Sequence, residues 1–233
     1  MLTTQVITSN RKIAVFVGTL YILAAVTAII AVILYAPVLS DSNYVMTGGA
    51  EARVATGAFL ELILAFSIIG ISVGLFPIVN KQYPALAIGY VCFRLLEATI
   101  IIAGIMNLLS VVTLSREFAK AAAPNAAAFV VAGKSLVAEH NWTFLFGPNV
   151  ALGPSTFMLG YFWYRSKLVP RFIAIMGLIG GPAIFASATL VLFGVYPQIS
   201  AWSGILTIPV FAYEMTLAVW LITKGFNARA NAS

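Results

Sequence analysis

The sequence predicts an all-α integral membrane protein, a polytopic bundle of six transmembrane helices with both termini in the cytoplasm. Hydrophobic residues make up 61% of the 233 residues and charged residues only 9%, whereas a soluble domain carries roughly 25% charged residues. The apolar residues form six continuous runs, each long enough to cross a hydrocarbon core of about 30 Å as a helix. Basic residues gather between these runs on one side of the predicted membrane.

Polar turns separate the first three runs. The first run, 13–38, is followed by the turn-forming residues 41–43, and the second run covers 56–79. The third run, 85–113, begins directly after Pro84, and proline is favoured at the first position of a helix. A β-barrel would need short segments of alternating polarity, so these long continuous runs indicate helices.

The last three runs have equally clear limits. The fourth run, 142–164, ends at the basic stretch 165–167, and Pro170 opens the fifth run, 172–195. A second proline separates the fifth run from the sixth, 202–223. We therefore expect one transmembrane domain over 13–226, with cytoplasmic tails at 1–12 and 227–233.

One connection is long. The interval 114–141 between the third and fourth runs contains an Ala-rich stretch that is too short to span a bilayer. We expect a connector that includes a short helix lying on the outer membrane surface. A lid over an outward-facing pocket is the alternative.

The distribution of charge sets the predicted orientation. One side carries eight basic residues and no acidic ones, whereas four basic and four acidic residues balance on the other side. The positive-inside rule places the basic side, and with it both termini, in the cytoplasm. The eight residues are Arg11, Lys12, Lys81, Arg165, Lys167, Arg171, Lys224 and Arg229.

Composition and motifs exclude several classes of function. The single cysteine, Cys92, and the single histidine, His140, exclude an internal disulfide and a Cys/His metal cluster. The net charge of +6 is spread over the ends of apolar runs, which is typical of topological anchors and not of a nucleic-acid surface. The sequence contains no P-loop, nucleophile elbow or HExxH motif. We expect no metal, cofactor or nucleic-acid partner, and the lipid bilayer is the expected environment.

Four charged residues lie inside the apolar runs, namely Glu61, Arg94, Glu97 and Glu214. Each costs about 2.5–3.5 kcal/mol at the bilayer centre, so we expect them to face the bundle interior and to meet in one polar site. Arg94 and Glu97 are three residues apart on one helix and can pair locally. Since three carboxylates face one guanidinium, we expect one carboxylate to pair with Arg94. We also expect that at least one of Glu61, Glu97 and Glu214 is protonated near neutral pH, or that a bound cation neutralises the site.

Other residues are candidates for support of this ligand-binding or proton-titrating site. Asn149 is expected to join the charged residues from the fourth run, and Tyr90 and Tyr213 to donate hydrogen bonds to the acids. Pro148 is expected to kink the fourth helix, since it removes a backbone donor. His140 is expected to be a solvated loop residue, and a proton donor at the mouth of the site is the alternative.

Four long stretches of the chain are similar to the bacterial family described as domain of unknown function 4386. The resemblance runs from Arg11 to about Asn227, and RSKLVPRF and EMTLAVWLITKGF are its most specific parts. It implies a small multi-pass protein of the bacterial cytoplasmic membrane, and it implies no activity. The stretches are LELILAFSIIGISVGLFPIV, ALAIGYVCFRLLEATIIIAGI, LFGPNVALGPSTFMLGYFWYRSKLVPRFIAIMGLIG and EMTLAVWLITKGFN.

Three functions are consistent with the sequence. The first is binding or proton-linked translocation of a small ligand or cation at the buried acids. The second is an intramembrane enzyme that uses a protonated glutamate as general acid on a lipophilic, prenyl-type substrate. The third is a structural or assembly protein without a ligand.

The glycine pairs Gly70/Gly74 and Gly177/Gly181 permit close helix approach, either within one chain or at a homo-oligomer interface.

Overall fold

The computed structural model describes residues 2–121 and 125–227, and every regular element in these two ranges is helical. Residue 1, the segment 122–124 and the predicted tail beyond Asn227, including Arg229, lie outside the described residues. The elements are α1 (Leu2–Ser40), α2 (Tyr44–Thr47), α3 (Glu51–Asn80), α4 (Pro84–Lys120), α5 (Ala126–Leu145), a π-helical segment (Phe146–Ala151), α6 (Leu152–Ser166), α7 (Arg171–Leu192) and α8 (Ala201–Thr223).

The long helices form a closed ring in chain order. In order around the ring come α1, then α3, then α4, then a rod in which α5 continues into α6, then α7 and finally α8. Each member packs against the next. Neighbours are antiparallel: on α3, Gly74 lies against Val17 near the start of α1, whereas Gly57 lies against Tyr35 near its end. Gly18 of α1 packs on α8 and so closes the ring. In this order α4 and α8 occupy opposite positions.

The two ends of the ring differ. The basic end holds Arg11, Lys81 and Lys167, and Arg11 Nη1 donates to the carbonyl oxygen of Leu221 at the end of α8 (3.0 Å). A cation at this position suits the negative end of the α8 dipole. We call the opposite end, which carries α2 and the 193–200 connection, the loop end.

The interval 114–141 differs from its predicted form. It is divided between the end of α4 and most of α5, and only 121–125 connects the two helices. The ring of Phe118 contacts that of Phe129 (centroids 5.5 Å apart) at one end of the pair, and Gly89 lies against Met158 at the other. The segment from α5 through α6 is therefore one rod that runs antiparallel to α4 along its whole length. Alanine is the best helix former, which accounts for helical structure in this Ala-rich stretch.

Pro148 explains the π-helical segment within this rod. In a regular α-helix the carbonyl of Phe144 would accept from the backbone N–H of residue 148, but proline has none. The side-chain amide of Asn149 donates to this carbonyl instead (3.2 Å). The expected distortion at Pro148 is therefore a widened helical turn, and Asn149 satisfies the carbonyl that the proline leaves open.

Within residues 2–121 and 125–227, five helices are long and apolar enough to cross a membrane. They are α3, α4, α7, α8 and the Asn10–Ser40 part of α1, and they indicate an integral membrane protein. The predicted fourth run falls on the interrupted rod, which is not one of these five. At the N-terminus α1 begins at Leu2, so the predicted tail is helical within the described residues.

The glycine pairs singled out in the sequence are used for packing within the chain. Gly70 lies against Leu20 of α1, and Gly177 lies against the ring of Tyr213 of α8. Gly181 faces the backbone of Gly153 on α6. Small residues let helix backbones approach closely in membranes, and here they set the spacing inside one ring.

Replacing Gly160 by alanine is expected to destabilise the contact between α6 and α7 by about 1–3 kcal/mol. A Cβ at this position would lie 2.8 Å from the backbone nitrogen of Leu178 and 2.9 Å from the carbonyl carbon of Gly177. Both atoms belong to the α7 backbone and cannot move alone. Equilibrium unfolding of the purified protein in mixed micelles measures the effect.

Gly204 provides a matched control on another helix. No atom of the described residues lies within 4 Å of a Cβ placed on Gly204, so Gly204→Ala should stabilise α8 by about 0.5–1 kcal/mol through helix propensity. Equal unfolding free energies for the Gly160→Ala and Gly204→Ala variants would contradict this picture of the α6–α7 interface.

In the part of the chain that the structure describes, two apolar clusters fill the interior and position the charged residues. The cluster near the basic end contains Tyr90 and Trp163, and the cluster near the loop end contains Tyr35 and Ala98. Along α4, Arg94 falls between Tyr90 of the first cluster and Ala98 of the second. The charged site thus lies where the two clusters meet.

Candidate functional site

Arg94 bridges two carboxylates that come from opposite sides of the ring. Its Nη1 lies 3.0 Å from Oε2 of Glu97 on the same helix, and its Nη2 lies 2.9 Å from Oε1 of Glu214 on α8. The Arg94 and Glu97 side chains are 3% and 4% exposed, whereas that of Glu214 is 21% exposed. We call these three residues the Arg94 triad.

Aromatic side chains enclose the guanidinium. Cζ of Arg94 lies 5.7 Å from the centroid of the Tyr90 ring, within the range of a cation–π interaction. The hydroxyls of Tyr21 and Tyr90 are 3.5 Å apart, and Trp163 Nε1 donates to the Tyr213 hydroxyl (3.1 Å). All four aromatic residues are buried. The triad is therefore held in a low-dielectric environment, where charge imbalance is expensive.

The charges of the triad do not balance. One carboxylate was expected to pair with Arg94, but two do, so the fully ionised triad carries a net charge of −1. The Nε of Arg94 is also buried and makes no hydrogen bond with any part of the chain that the structure describes. The structure thus brings together Arg94, Glu97 and Glu214, which are three of the five main residues predicted for the site.

Glu61 lies apart from the triad. Its Oε2 accepts a hydrogen bond from the hydroxyl of Tyr35 (2.8 Å), and both residues are buried. No hydrogen bond or ion pair within the described ranges joins Glu61 to the triad. The expectation of a single site for all three glutamates is therefore not met, because Glu61 on α3 pairs with α1 and the Arg94 triad joins α4 to α8.

His140 is buried, so the prediction of a solvated loop residue is wrong. It is 5% exposed, and its Nδ1 lies 3.1 Å from the carbonyl oxygen of Gly104 on α4. Its ring meets that of Tyr35 edge-to-face, with centroids 5.9 Å apart. The reason is that His140 lies within α5, which begins at Ala126, and not in a loop. The packing of α5 on α4 directs the His140 side chain into the interior beside Gly104.

Glu61 and His140 border a small gap in the packing. Thr143 and Pro148 also line this gap, which leaves no room for a water molecule. A carboxyl, a phenol and an imidazole thus lie close together in a second polar cluster made of Glu61, Tyr35 and His140.

The remaining predicted residues have other partners. Asn149 bonds to its own rod at Phe144, and the Tyr213 hydroxyl accepts from Trp163. Tyr21, Tyr35 and Trp163 also belong to these polar clusters, although they were not predicted for the site. The tyrosines within the first apolar run, Tyr21 and Tyr35, were the available signal, because a buried hydroxyl usually finds a polar partner.

No metal centre is evident in the part of the chain that the structure describes. No three His, Cys, Asp or Glu side chains there are grouped so that they could hold an ion. The Arg94 triad itself offers two carboxylates that one guanidinium holds in place.

The fold and the site define a helical membrane protein with a buried arginine–carboxylate site. Residues 16–225 match the model of the family described as Domain of unknown function (DUF4386), so the chain belongs to that family. The resemblance seen in the sequence is thereby confirmed. No curated protein and no solved structure matches the chain.

The chain at and directly after the end of EMTLAVWLITKGF packs against RSKLVPRF and its neighbour Trp163 at the basic end. The backbone N–H of Asn227 donates to the carbonyl of Leu168, and its side-chain amide donates to that of Lys167, both at 2.8 Å. The ring of Phe226 packs on Trp163 with centroids 5.9 Å apart. These contacts tie the chain after α8 to the turn between α6 and α7.

Proposed function

We propose that this protein binds a proton at the Arg94 triad and couples it to binding or translocation of a small ligand or cation. The observation that carries the proposal is that one guanidinium pairs with two carboxylates from opposite helices. A surplus negative charge in a buried site is expensive, and a bound proton or cation removes it. Ionisable residues inside membrane bundles commonly mark such pathways.

The exposed fractions of the two carboxylates support different roles for them. Glu97 is enclosed, whereas about a fifth of the Glu214 side chain is exposed (21%). Glu214 is therefore the more accessible of the two carboxylates. Glu97 keeps Arg94 oriented through the pairing within α4.

Protonation of Glu214 offers a means of coupling proton binding to a movement of the helices. The ion pair between Arg94 and Glu214 joins α4 to α8 across the ring, so a neutral Glu214 weakens that link. Pro209 lies about one turn before Glu214 within α8, and proline removes a backbone hydrogen bond from the helix there. Movement of α8 relative to α4 is the conformational change that we associate with proton binding.

We place the protein in the bacterial cytoplasmic membrane with six crossings. The rod from α5 through α6 would supply the fourth crossing, since it runs antiparallel to α4. The basic end would face the cytoplasm, in keeping with the positive-inside rule. Both termini then lie in the cytoplasm.

Dense packing around the triad favours one alternative, in which the ion pairs only fix the arrangement of the helices. Tyr21, Tyr90 and Trp163 are fully or almost fully buried, and buried ion pairs can serve as structural registers. The enzymatic alternative has less support, because the gap beside Glu61 does not admit even a water molecule.

Infrared difference spectroscopy between acidic and neutral buffer tests the proton site. In nanodiscs the wild-type protein should show the carbonyl stretch of a buried protonated carboxyl, and the Glu214→Gln variant should lose this band. Glu139→Gln, an exposed position on α5, is the matched control and should retain it. The Glu61→Gln variant shows how much of this band comes from the second polar cluster. Absence of the band in the wild type, or its persistence in Glu214→Gln, would overturn the assignment.

A distance measurement distinguishes proton-coupled movement of α8 from the alternative in which the ion pairs are only structural. Cys92 is the only cysteine and lies exposed on α4, so one spin label can be placed there and a second at Phe211→Cys, an exposed position on α8. The proposal predicts that the distance between the labels changes with pH and that Glu214→Gln abolishes the change. A distance independent of pH supports the structural reading.

A further inference from the structure

A second candidate site lies at the loop end of the ring, away from the Arg94 triad. A cavity of about 230 Å³ opens there between the end of α1, α2, α4 and α5. This volume is below the roughly 300–1,000 Å³ of pockets for drug-sized ligands. It therefore suits a small metabolite or the headgroup of a lipid.

The cavity combines an apolar floor with two opposite charges. Val38, Val111 and Val137 contribute to the floor, Asp41 contributes to the lining from the turn after α1, and Lys134 contributes from α5. Neither of these two residues forms an ion pair with any other described residue. Both charges thus remain available to a ligand.

The negative side of the cavity is held in place by its own turn. Asp41 Oδ1 accepts from the backbone N–H of Asn43 (2.8 Å) and Oδ2 from the hydroxyl of Thr47 (2.7 Å). These hydrogen bonds lower the pKa of the Asp41 carboxyl below its ordinary value, so it is ionised at neutral pH. A carboxylate that is already oriented loses little entropy when it binds a cationic group.

The positive side is also fixed through the backbone. Gly133, directly before Lys134, packs closely against Val45 of α2, which ties this turn of α5 to the segment after Asp41. The lysine side chain itself is exposed and can reach an anionic group. The two charges therefore flank a common apolar floor.

We infer that this cavity binds a small zwitterion, with its ammonium group at Asp41, its anionic group at Lys134 and a short apolar portion on the valine floor. Two sources supply this chemistry, namely a free amino acid with an aliphatic side chain and the headgroup region of an ethanolamine phospholipid. The inference does not depend on proton binding at the Arg94 triad.

Binding to the full-length protein distinguishes the two sources. Calorimetric titration with leucine in a non-ionic detergent tests the free amino acid, and native mass spectrometry after reconstitution in mixed ethanolamine and choline phospholipids tests the lipid. Asp41→Asn and Lys134→Gln should each weaken binding of the successful probe about tenfold, the loss expected for one charge-assisted hydrogen bond. Glu117→Gln and Lys120→Gln alter an exposed ion pair on α4 outside the cavity and should leave binding unchanged.

Further variants and probes keep the inference open to refutation. Val137→Phe should fill the floor and abolish binding without changing either charge. Leucine methyl ester, which has no carboxylate, should bind weakly and show no dependence on Lys134. Glu214→Gln should bind as the wild type does, so failure of the proton site and failure of this cavity remain distinguishable. Absence of binding by both probes, or equal binding by wild type and the two charge variants, would overturn the inference.

Discussion

Replacing Arg94 by methionine is expected to destabilise the protein by about 3–5 kcal/mol at neutral pH. The substitution keeps an unbranched side chain but leaves Glu97 and Glu214 without the cation that lies 3.0 Å and 2.9 Å from them. Two buried carboxylates near each other then lack compensation, and their mutual repulsion adds to the cost of desolvation. Equilibrium unfolding in mixed micelles at several pH values measures the loss.

The expected loss depends on charge, which separates it from a packing defect. The destabilisation should shrink in acidic buffer, because protons can neutralise both carboxylates. The triple variant Arg94→Met, Glu97→Leu, Glu214→Leu should recover most of the stability, since apolar residues often replace buried ion pairs without loss. Arg116→Met, at an exposed position on the same helix, should have little effect. A destabilisation that is equal at all pH values would contradict the electrostatic explanation.

Replacing Trp163 by alanine is expected to cost about 3 kcal/mol in unfolding free energy, toward the lower end of the range for such truncations. Trp163 is completely buried, contacts Phe162 with ring centroids 4.8 Å apart, and donates to the Tyr213 hydroxyl. The variant leaves a cavity and an unpartnered hydroxyl next to the Arg94 triad. The value lies at the lower end because lipid is itself apolar, so transfer from water contributes less than in a soluble protein.

A tryptophan on the surface serves as the control for this variant. Trp202, at the start of α8, is 65% exposed, and Trp202→Ala should change the unfolding free energy much less. Trp163→Phe should give an intermediate value, since it retains much of the volume but loses the hydrogen bond. Equal unfolding free energies for Trp163→Ala and Trp202→Ala would show that the cluster around the triad is not a stabilising core.

The structure divides the polar residues of the chain into groups with different surroundings. The Arg94 triad lies where two apolar clusters meet, Glu61 and His140 lie with Tyr35 in a second cluster, and Asp41 and Lys134 line a cavity at the loop end. Only the last group borders space large enough for a small ligand among the cavities described above. This arrangement motivates separate tests for proton binding and for ligand binding.

Several features of this protein follow from the sequence alone. Apolar runs bounded by charges and prolines predict the long helices, and membrane helices need no partner to satisfy their backbone groups. The pairing of Arg94 with Glu97 also follows directly, because residues three apart on a helix are neighbours. Family membership could be recognised from contiguous stretches of sequence in the same way.

The association of helices with one another could not be predicted in this way. The sequence indicates how deep Glu61 and Glu214 lie along their helices, but not which way each side chain points. A soluble helix reveals its buried face through an apolar stripe, whereas these helices are apolar on nearly all sides. Packing in the ring turns Glu214 toward Arg94 and Glu61 toward Tyr35.

In the rod from α5 through α6, the local sequence again predicts only part of what the tertiary structure shows. Pro148 predicts a break in the helix, but only the structure shows that Asn149 replaces the missing donor and that the helix continues. The burial of His140 depends on a glycine of α4 that lies 36 residues earlier in the chain. The sequence by itself therefore determined most of the long helices and the local ion pair. Tertiary structure decided which polar groups meet, because side-chain direction in a uniformly apolar helix is set by its neighbours.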